Sequence, residues 1–223
     1  EPYGAYAGLF NAWKLFTPST DAGIDERESV DDHTTAYECS YGCTGIDRLI
    51  CCDEDAVVGA VDAAAPFADG IMVLVDSRTY GGSGGFTYST SYTGDAAALQ
   101  VAAHELSHTL IGLWDEYTYP GATGSAEDFV SPNCTAHDQD VTWPAWSGEP
   151  VGAEHVDRYP GCSFENWDRP TPSACMMNVL QDRWCPVCRE AIVERIYAAL
   201  GGEMIVAVDP ADDLVRGGRQ FAA

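Results

Sequence analysis

The sequence predicts an α/β (α+β) fold, and three observations point there. Ile71–Asp76 (IMVLVD) is a continuous apolar run, as expected of a strand buried on both faces. Leu99, Ala103, Leu106, Leu110 and Leu113 recur at spacings of four and three, the inward stripe of an amphipathic helix. Thr118–Pro172 is rich in Pro, Gly, Asp and Trp with weak periodicity, which reads as irregular structure.

The elements follow in order. Gly8–Phe16 (GLFNAWKLF) alternates faces and reads as a first strand. Asp21–Thr35 is polar and reads as loop. CSYGC (Cys39–Cys43) and LICC (Leu49–Cys52) frame a segment that disulfides can tie down. Ala56–Ala65, with Val57, Val58 and Val61, is a short helix. After the strand at Ile71–Asp76, the glycines of Gly81–Gly85 make a flexible turn. Phe86, Tyr88 and Tyr92 then alternate along an edge-like strand. Asp95 is the expected N-cap of the long helix, and Gly112 its stop, since glycine accepts the left-handed turn that ends helices. Cys134 and Cys162 are expected to hold the irregular stretch. Pro186–Leu200 is a final helix with Val193, Ile196 and Leu200 on one face, and Glu203–Pro210 is a strand-like tail.

At 223 residues the chain suffices for one well-buried domain, and its hydrophobic fraction of 46% is ordinary. With 35 acidic and 11 basic residues, its net charge of −24 argues against nucleic acid, which needs clustered Lys and Arg. Solubility explains such a charge; a saline medium or calcium would explain it too. Acidic clusters at Asp25-Glu26, Asp31-Asp32 and Asp53-Glu54-Asp55 permit calcium but match no EF-hand spacing. No apolar run is long enough to span a bilayer, and no signal peptide is visible. The start at Glu1, without methionine, reads as a processed or trimmed piece. Nine cysteines, at 39, 43, 51, 52, 134, 162, 175, 185 and 188, point to disulfides in a secreted, extracellular protein. The odd count leaves at least one without a partner in the chain. A monomer is expected.

The chemistry concentrates in HELSHTLIGLWDEY (His104–Tyr117). His104 and His108 are one helical turn apart, so both imidazoles face one way. That is the geometry of two zinc ligands, with Glu105 between them placed to act as a general base. A chance pentapeptide with solvated side chains is the bland alternative. The third ligand is harder. In H-E-x-x-H-x-x-G-x-x-H, glycine comes three after the second histidine and the ligand six after. Here Gly112 comes four after His108, and the residue six after is Trp114, a donor only. One inserted residue would move glycine and ligand together, which favours Asp115; Glu116, then His137 and His155, are the rivals. CMMN (Cys175–Asn178) offers a methionine turn, with Met177 preferred over Met176. WCPVC (Trp184–Cys188) looks like a thiol-redox motif, but only 35 residues follow it. A structural disulfide, or a pairing with Cys175, is the preferred reading over redox activity or a cysteine-held zinc.

Together, CSYGCTGIDRLICC, ADGIMVLVDSRTYGGSGG, HELSHTLIGLWDEY and CMMNVLQDRWCPVCRE resemble, in order, blocks of the IgA-peptidase family of bacterial secreted zinc metallopeptidases, over roughly residues 8 to 200. The resemblance implies a metzincin-like catalytic domain: a twisted mixed sheet, an active-site helix and an irregular lower subdomain after the glycine. It also implies that the family's aspartate ligand falls on Asp115. The domain is expected at 1–202, its upper part about 1–112 and its lower part about 113–202. The tail 203–223 is expected to begin a further domain. The implied activity is zinc-dependent endopeptidase, with one catalytic zinc on His104, His108 and Asp115 and with Glu105 as base. The substrate is a protein or peptide, expected to lie extended along Phe86–Thr90, where the glycines let its backbone approach. The alternative is a non-catalytic binding module on the same scaffold, against which the retained Glu105 argues.

Overall fold

A computed structural model describes residues 2–26, 33–125 and 130–200. Among them the chain is a mixed α/β protein with three α-helices and several small sheets. It divides into two compact units, Asn11–Leu110 and Glu1–Phe10 with Ile111–Ala223. The tail at Glu203–Pro210 lies outside the described residues.

The unit Asn11–Leu110 begins without regular structure. Ala7–Leu9, in the other unit, forms a 3-10 turn and no strand forms over Gly8–Phe16, where one was expected; Trp13, Leu15 and Phe16 are exposed. Alternation was present there, but no neighbouring strand pairs with the segment. Further along, β1 (Ser40–Tyr41) and β2 (Ile50–Cys51) pair antiparallel and are clamped by disulfides Cys39–Cys52 and Cys43–Cys51. Helix α1 (Glu54–Ala64) starts where the Asp53 side chain accepts the Ala56 N–H at 2.8 Å, and Glu54 and Asp55 occupy its first turn. That acidic triplet therefore serves a helix start, where carboxylates meet the positive end of the dipole.

A mixed sheet follows, of β3 (Met72–Val75), β4 (Gly82–Gly84) and β5 (Ser89–Tyr92), in the order β3-β5-β4. β3 runs parallel to β5 and β4 antiparallel to it. Two expectations change here. Leu74 is 62% exposed, so β3 is buried on one face only. The strand after the glycines is the central one, not an edge, and Phe86 lies outside it, 98% exposed. Its Ser89, Thr90 and Ser91 are wholly buried and satisfied: their hydroxyls donate to the carbonyls of Ile71, Ile50 and Ala98. Burying a polar strand is tolerable only because each hydroxyl has such a partner. An extended substrate cannot add to β5, whose two sides are both paired.

Helix α2 (Ala98–Ile111) carries the two histidines. Its buried positions are Ala98, Val101, His104 and Ser107, whereas Leu99, expected inside, is 78% exposed. The wholly buried stripe carries no leucine, and α2 lies close on the glycine strand. A Cβ on Gly82 would sit 2.7 Å from Val101 Cγ1, and one on Gly84 would sit 2.6 Å from the Glu105 carbonyl oxygen and from His108 Cβ. These glycines let the helix approach. Asp95 caps the turn before the helix rather than the helix itself, accepting the Ala97 N–H at 2.8 Å and the Tyr92 hydroxyl at 2.6 Å. Gly112, at φ +82°, ends the helix.

The other unit holds the strands β6 (Thr135–Ala136), β7 (Pro150–Val151), β8 (Glu154–His155), β9 (Tyr159–Cys162) and β10 (Phe164–Arg169), and the helix α3 (Pro186–Ala199). Strands β6, β10 and β9 form one antiparallel sheet and β7–β8 a second, so the stretch is more regular than its composition suggested. The Cys134–Cys162 disulfide crosses it, buried with Ala136 and Trp167 and covered by Trp114 and Phe164. Along α3, Val193 and Ile196 are buried, but Leu200 is its exposed C-cap.

Candidate metal centres

Among the described residues, two groups of side chains bring metal-ligating atoms within 4.8 Å of one another: His104, Glu105 and His108, and Glu116, Cys175, Cys185 and Cys188.

The first group lies on α2. Spacing of four on a helix places the rings on one face, and the two Nε2 atoms are 3.2 Å apart. Two nitrogens on one tetrahedral zinc, each at about 2.0–2.1 Å, stand about 3.3 Å apart, so the pair fits such an ion. The rings meet edge to face, at 81°. Glu105 Oε2 is 3.9 Å from His108 Nε2, beside the ligand pair rather than between its atoms. His104 is buried; Glu105 and His108 are partly exposed, which leaves an approach for solvent and substrate.

Asp115 belongs to the other unit, on the segment after Gly112. Its place is fixed by many bonds. Asn133 accepts the Trp114 N–H and donates to the Trp114 carbonyl, both at 2.9 Å. The Asp115 carbonyl accepts from the Ser163 hydroxyl, and the Glu116 N–H bonds the Met177 carbonyl at 2.8 Å. The Asp115 carboxylate accepts the Tyr119 hydroxyl at 2.9 Å, and Tyr119 is joined to Tyr117 at 3.0 Å. Burial, followed by the Asp115 charge, pushes the Tyr117 hydroxyl up, so it remains protonated. Tyr119 was not among the candidates from sequence; its signal was a second tyrosine two residues after Tyr117. Met176 and Met177 are both buried, and Met177 is the one whose carbonyl holds this segment.

The rivals for the third ligand are engaged within this same unit. His137 Nε2 is 3.1 Å from Asp168, a carboxylate also held by Arg158, and exposed His155 contacts Tyr159. Glu116 turns away from Asp115 into the second group. It is wholly buried there, its Oε1 receiving Asn133 at 3.2 Å and the Cys188 thiol at 3.1 Å. Burial pushes its carboxyl well above the usual range. The expected disulfide of Cys185, or pairing with Cys175, is not formed. With three disulfides made elsewhere, all three remaining cysteines are buried thiols. Burial raises Cys185, but hydrogen bonds from Cys175 and Cys188 outweigh it and hold that thiol down at about 7.

The family model described as IgA Peptidase M64 matches residues 1–151 of the chain. The match takes in the helix of His104 and the Asp115 segment and stops short of the Cys175–Glu190 block. No curated protein matches the chain. No described helix is long and apolar enough to cross a membrane.

Proposed function

We propose that this chain, which belongs to the IgA peptidase M64 family and is thus a peptidase, is an exported zinc-dependent endopeptidase. The observation that carries the reading is the pair of imidazole nitrogens 3.2 Å apart on one helix face, with a carboxylate beside them. His104 and His108 would hold the ion with Asp115 as third ligand. Glu116 is drawn instead into a buried thiol cluster, and the Tyr119 hydroxyl orients Asp115 as ligating carboxylates are commonly oriented. Zinc supplies Lewis acidity, which brings the pKa of a water toward neutrality and polarises a peptide carbonyl.

The chain's own residues do the rest. Glu105 accepts the proton of the attacking water and returns it to the leaving amine. Partial burial of Glu105 strengthens its interaction with a developing charge. Gly82 and Gly84 hold the helix against the sheet, so the ligand pair sits on a rigid element. Met177 floors the Asp115 segment through its carbonyl. Three disulfides support export, because they persist only in an oxidising compartment.

Glu105→Gln tests the reading. It should keep bound zinc and lower peptide hydrolysis by about 10²–10⁴-fold, the usual contribution of a general base. Turnover of casein at the wild-type rate by that variant would remove Glu105 from the mechanism. Casein digestion unaffected by a chelator would remove the metal.

A further inference from the structure

We propose that Glu116, Cys175, Cys185 and Cys188 form a second metal site, closed and structural, that takes one tetrahedral divalent ion of zinc type.

Distances carry the proposal first. Cys175 Sγ and Cys188 Sγ are 3.6 Å apart, and Glu116 Oε1 is 3.1 Å from Cys188 Sγ and 3.8 Å from Cys185 Sγ. Around a tetrahedral zinc, with Zn–S about 2.3 Å and Zn–O about 2.0–2.2 Å, two sulfurs stand about 3.8 Å apart and a sulfur and an oxygen about 3.6 Å. Two of these separations lie within about 0.2 Å of those values and the third is about 0.5 Å shorter; all four ligand atoms lie within 4.8 Å of one another, and all four residues are wholly buried.

Glu116 supplies a second, independent observation. Its Oε2 is buried with no hydrogen-bond partner, inside a cluster whose other members are thiols. A buried carboxylate oxygen left in that state is costly, and a cation among the sulfurs would satisfy it.

Local backbone is arranged for thiolates. Cys185 is the N-cap of α3, and its sulfur accepts the Cys188 N–H at 3.4 Å; the Cys175 sulfur accepts the Cys185 N–H at 3.4 Å. A C-x-x-C at a helix start, with N–H groups aimed at its sulfurs, is a chelating turn. As each metal–sulfur bond forms, the thiol releases its proton to solvent. Three thiolates and one carboxylate then face a doubly charged ion, and these N–H groups and the Asn133 amide offset the remaining charge.

Four protein ligands leave no open position, so the site holds structure rather than substrate. It joins three segments of one unit: the residue after Asp115, the residue two before Met177, and the start of α3. The soft donor set selects zinc over calcium or magnesium.

The purified full chain tests this directly. Zinc analysis should find two ions per chain, falling to one in Cys188→Ser and to one in His104→Ala. Cobalt(II) exchanged into the wild type should give the near-ultraviolet thiolate-to-cobalt band, lost in Cys188→Ser and kept in His104→Ala. Because a cysteine variant can fail to fold, the wild type carries its own check. After chelation and denaturation without reductant, mass analysis should show three alkylated cysteines. One alkylated cysteine, meaning a disulfide within the trio, or an absent thiolate band, overturns the second site. Failure of the peptidase reading gives a different pattern: the thiolate band persists while His104→Ala changes neither zinc content nor turnover.

Discussion

The Tyr119 hydroxyl donates to Asp115 Oδ2 and so fixes one oxygen of the carboxylate proposed as third ligand. Tyr119→Phe removes that donor together with the hydroxyl's bond to Tyr117. Zinc affinity should fall by about 10–100-fold, as for other residues that orient a metal ligand. Competition with a chromophoric chelator reads the change, and an unaltered affinity would exclude Tyr119 from the site's support. At this scale the grouping of His104, Glu105 and His108 was legible in the sequence, because a spacing of four on a helix leaves little freedom. The destination of Glu116 was not. Adjacent carboxylates are indistinguishable in a sequence, and only the position of Asn133 and the three thiols separates them.

At the scale of elements, the contact between α2 and β4 decides whether the histidines are held in place. Gly84→Ala would put a methyl 2.6 Å from the Glu105 carbonyl and His108 Cβ, so helix or strand must move. Overpacking of this kind costs about 1–3 kcal/mol, which the urea midpoint should register together with weakened zinc binding. The approach to α2 also has a pH signature. The Tyr92 hydroxyl, then the Ala97 N–H, hold the Asp95 carboxyl below its usual range. A depressed carboxyl stabilises the fold above its unfolded pKa of about 3.9, and that contribution disappears as pH falls through the lower folded value. Asp95→Asn should therefore be less stable than wild type at neutral pH, with the difference closing in acid; a gap that stayed constant would deny the ionised carboxylate its part. On the same hydrogen bond, burial followed by the Asp95 interaction raises Tyr92 to about 12. Its contribution is present below about pH 10 and lost as pH rises through that folded value.

For the molecule as a whole, cross-links replace some of the regular structure that the loop-rich unit lacks. Cys134 and Cys162 are 28 residues apart in sequence, and closing such a loop stabilises by roughly 3–4 kcal/mol in the chain-entropy account. Replacing both by serine should lower the thermal midpoint markedly; a midpoint equal to wild type would mean that the buried tryptophans suffice alone. By itself, the sequence determined the α/β class, the helix that ends at Gly112, the grouping of His104, Glu105 and His108 on that helix, and a disulfide-bearing chain. Each of these follows from local rules: helical period, the conformational freedom of glycine, and ligand types at fixed spacing. Tertiary structure alone decided that β5 is central, that Leu99 faces solvent while His104 is buried, and which six cysteines pair. Those outcomes depend on which segments meet across long separations, and hydrophobic pattern does not encode the meeting. The burial of Ser89-Thr90-Ser91 depends on carbonyls at Ile50 and Ile71, and three thiols converge on Glu116 only because folding carries α3 to them.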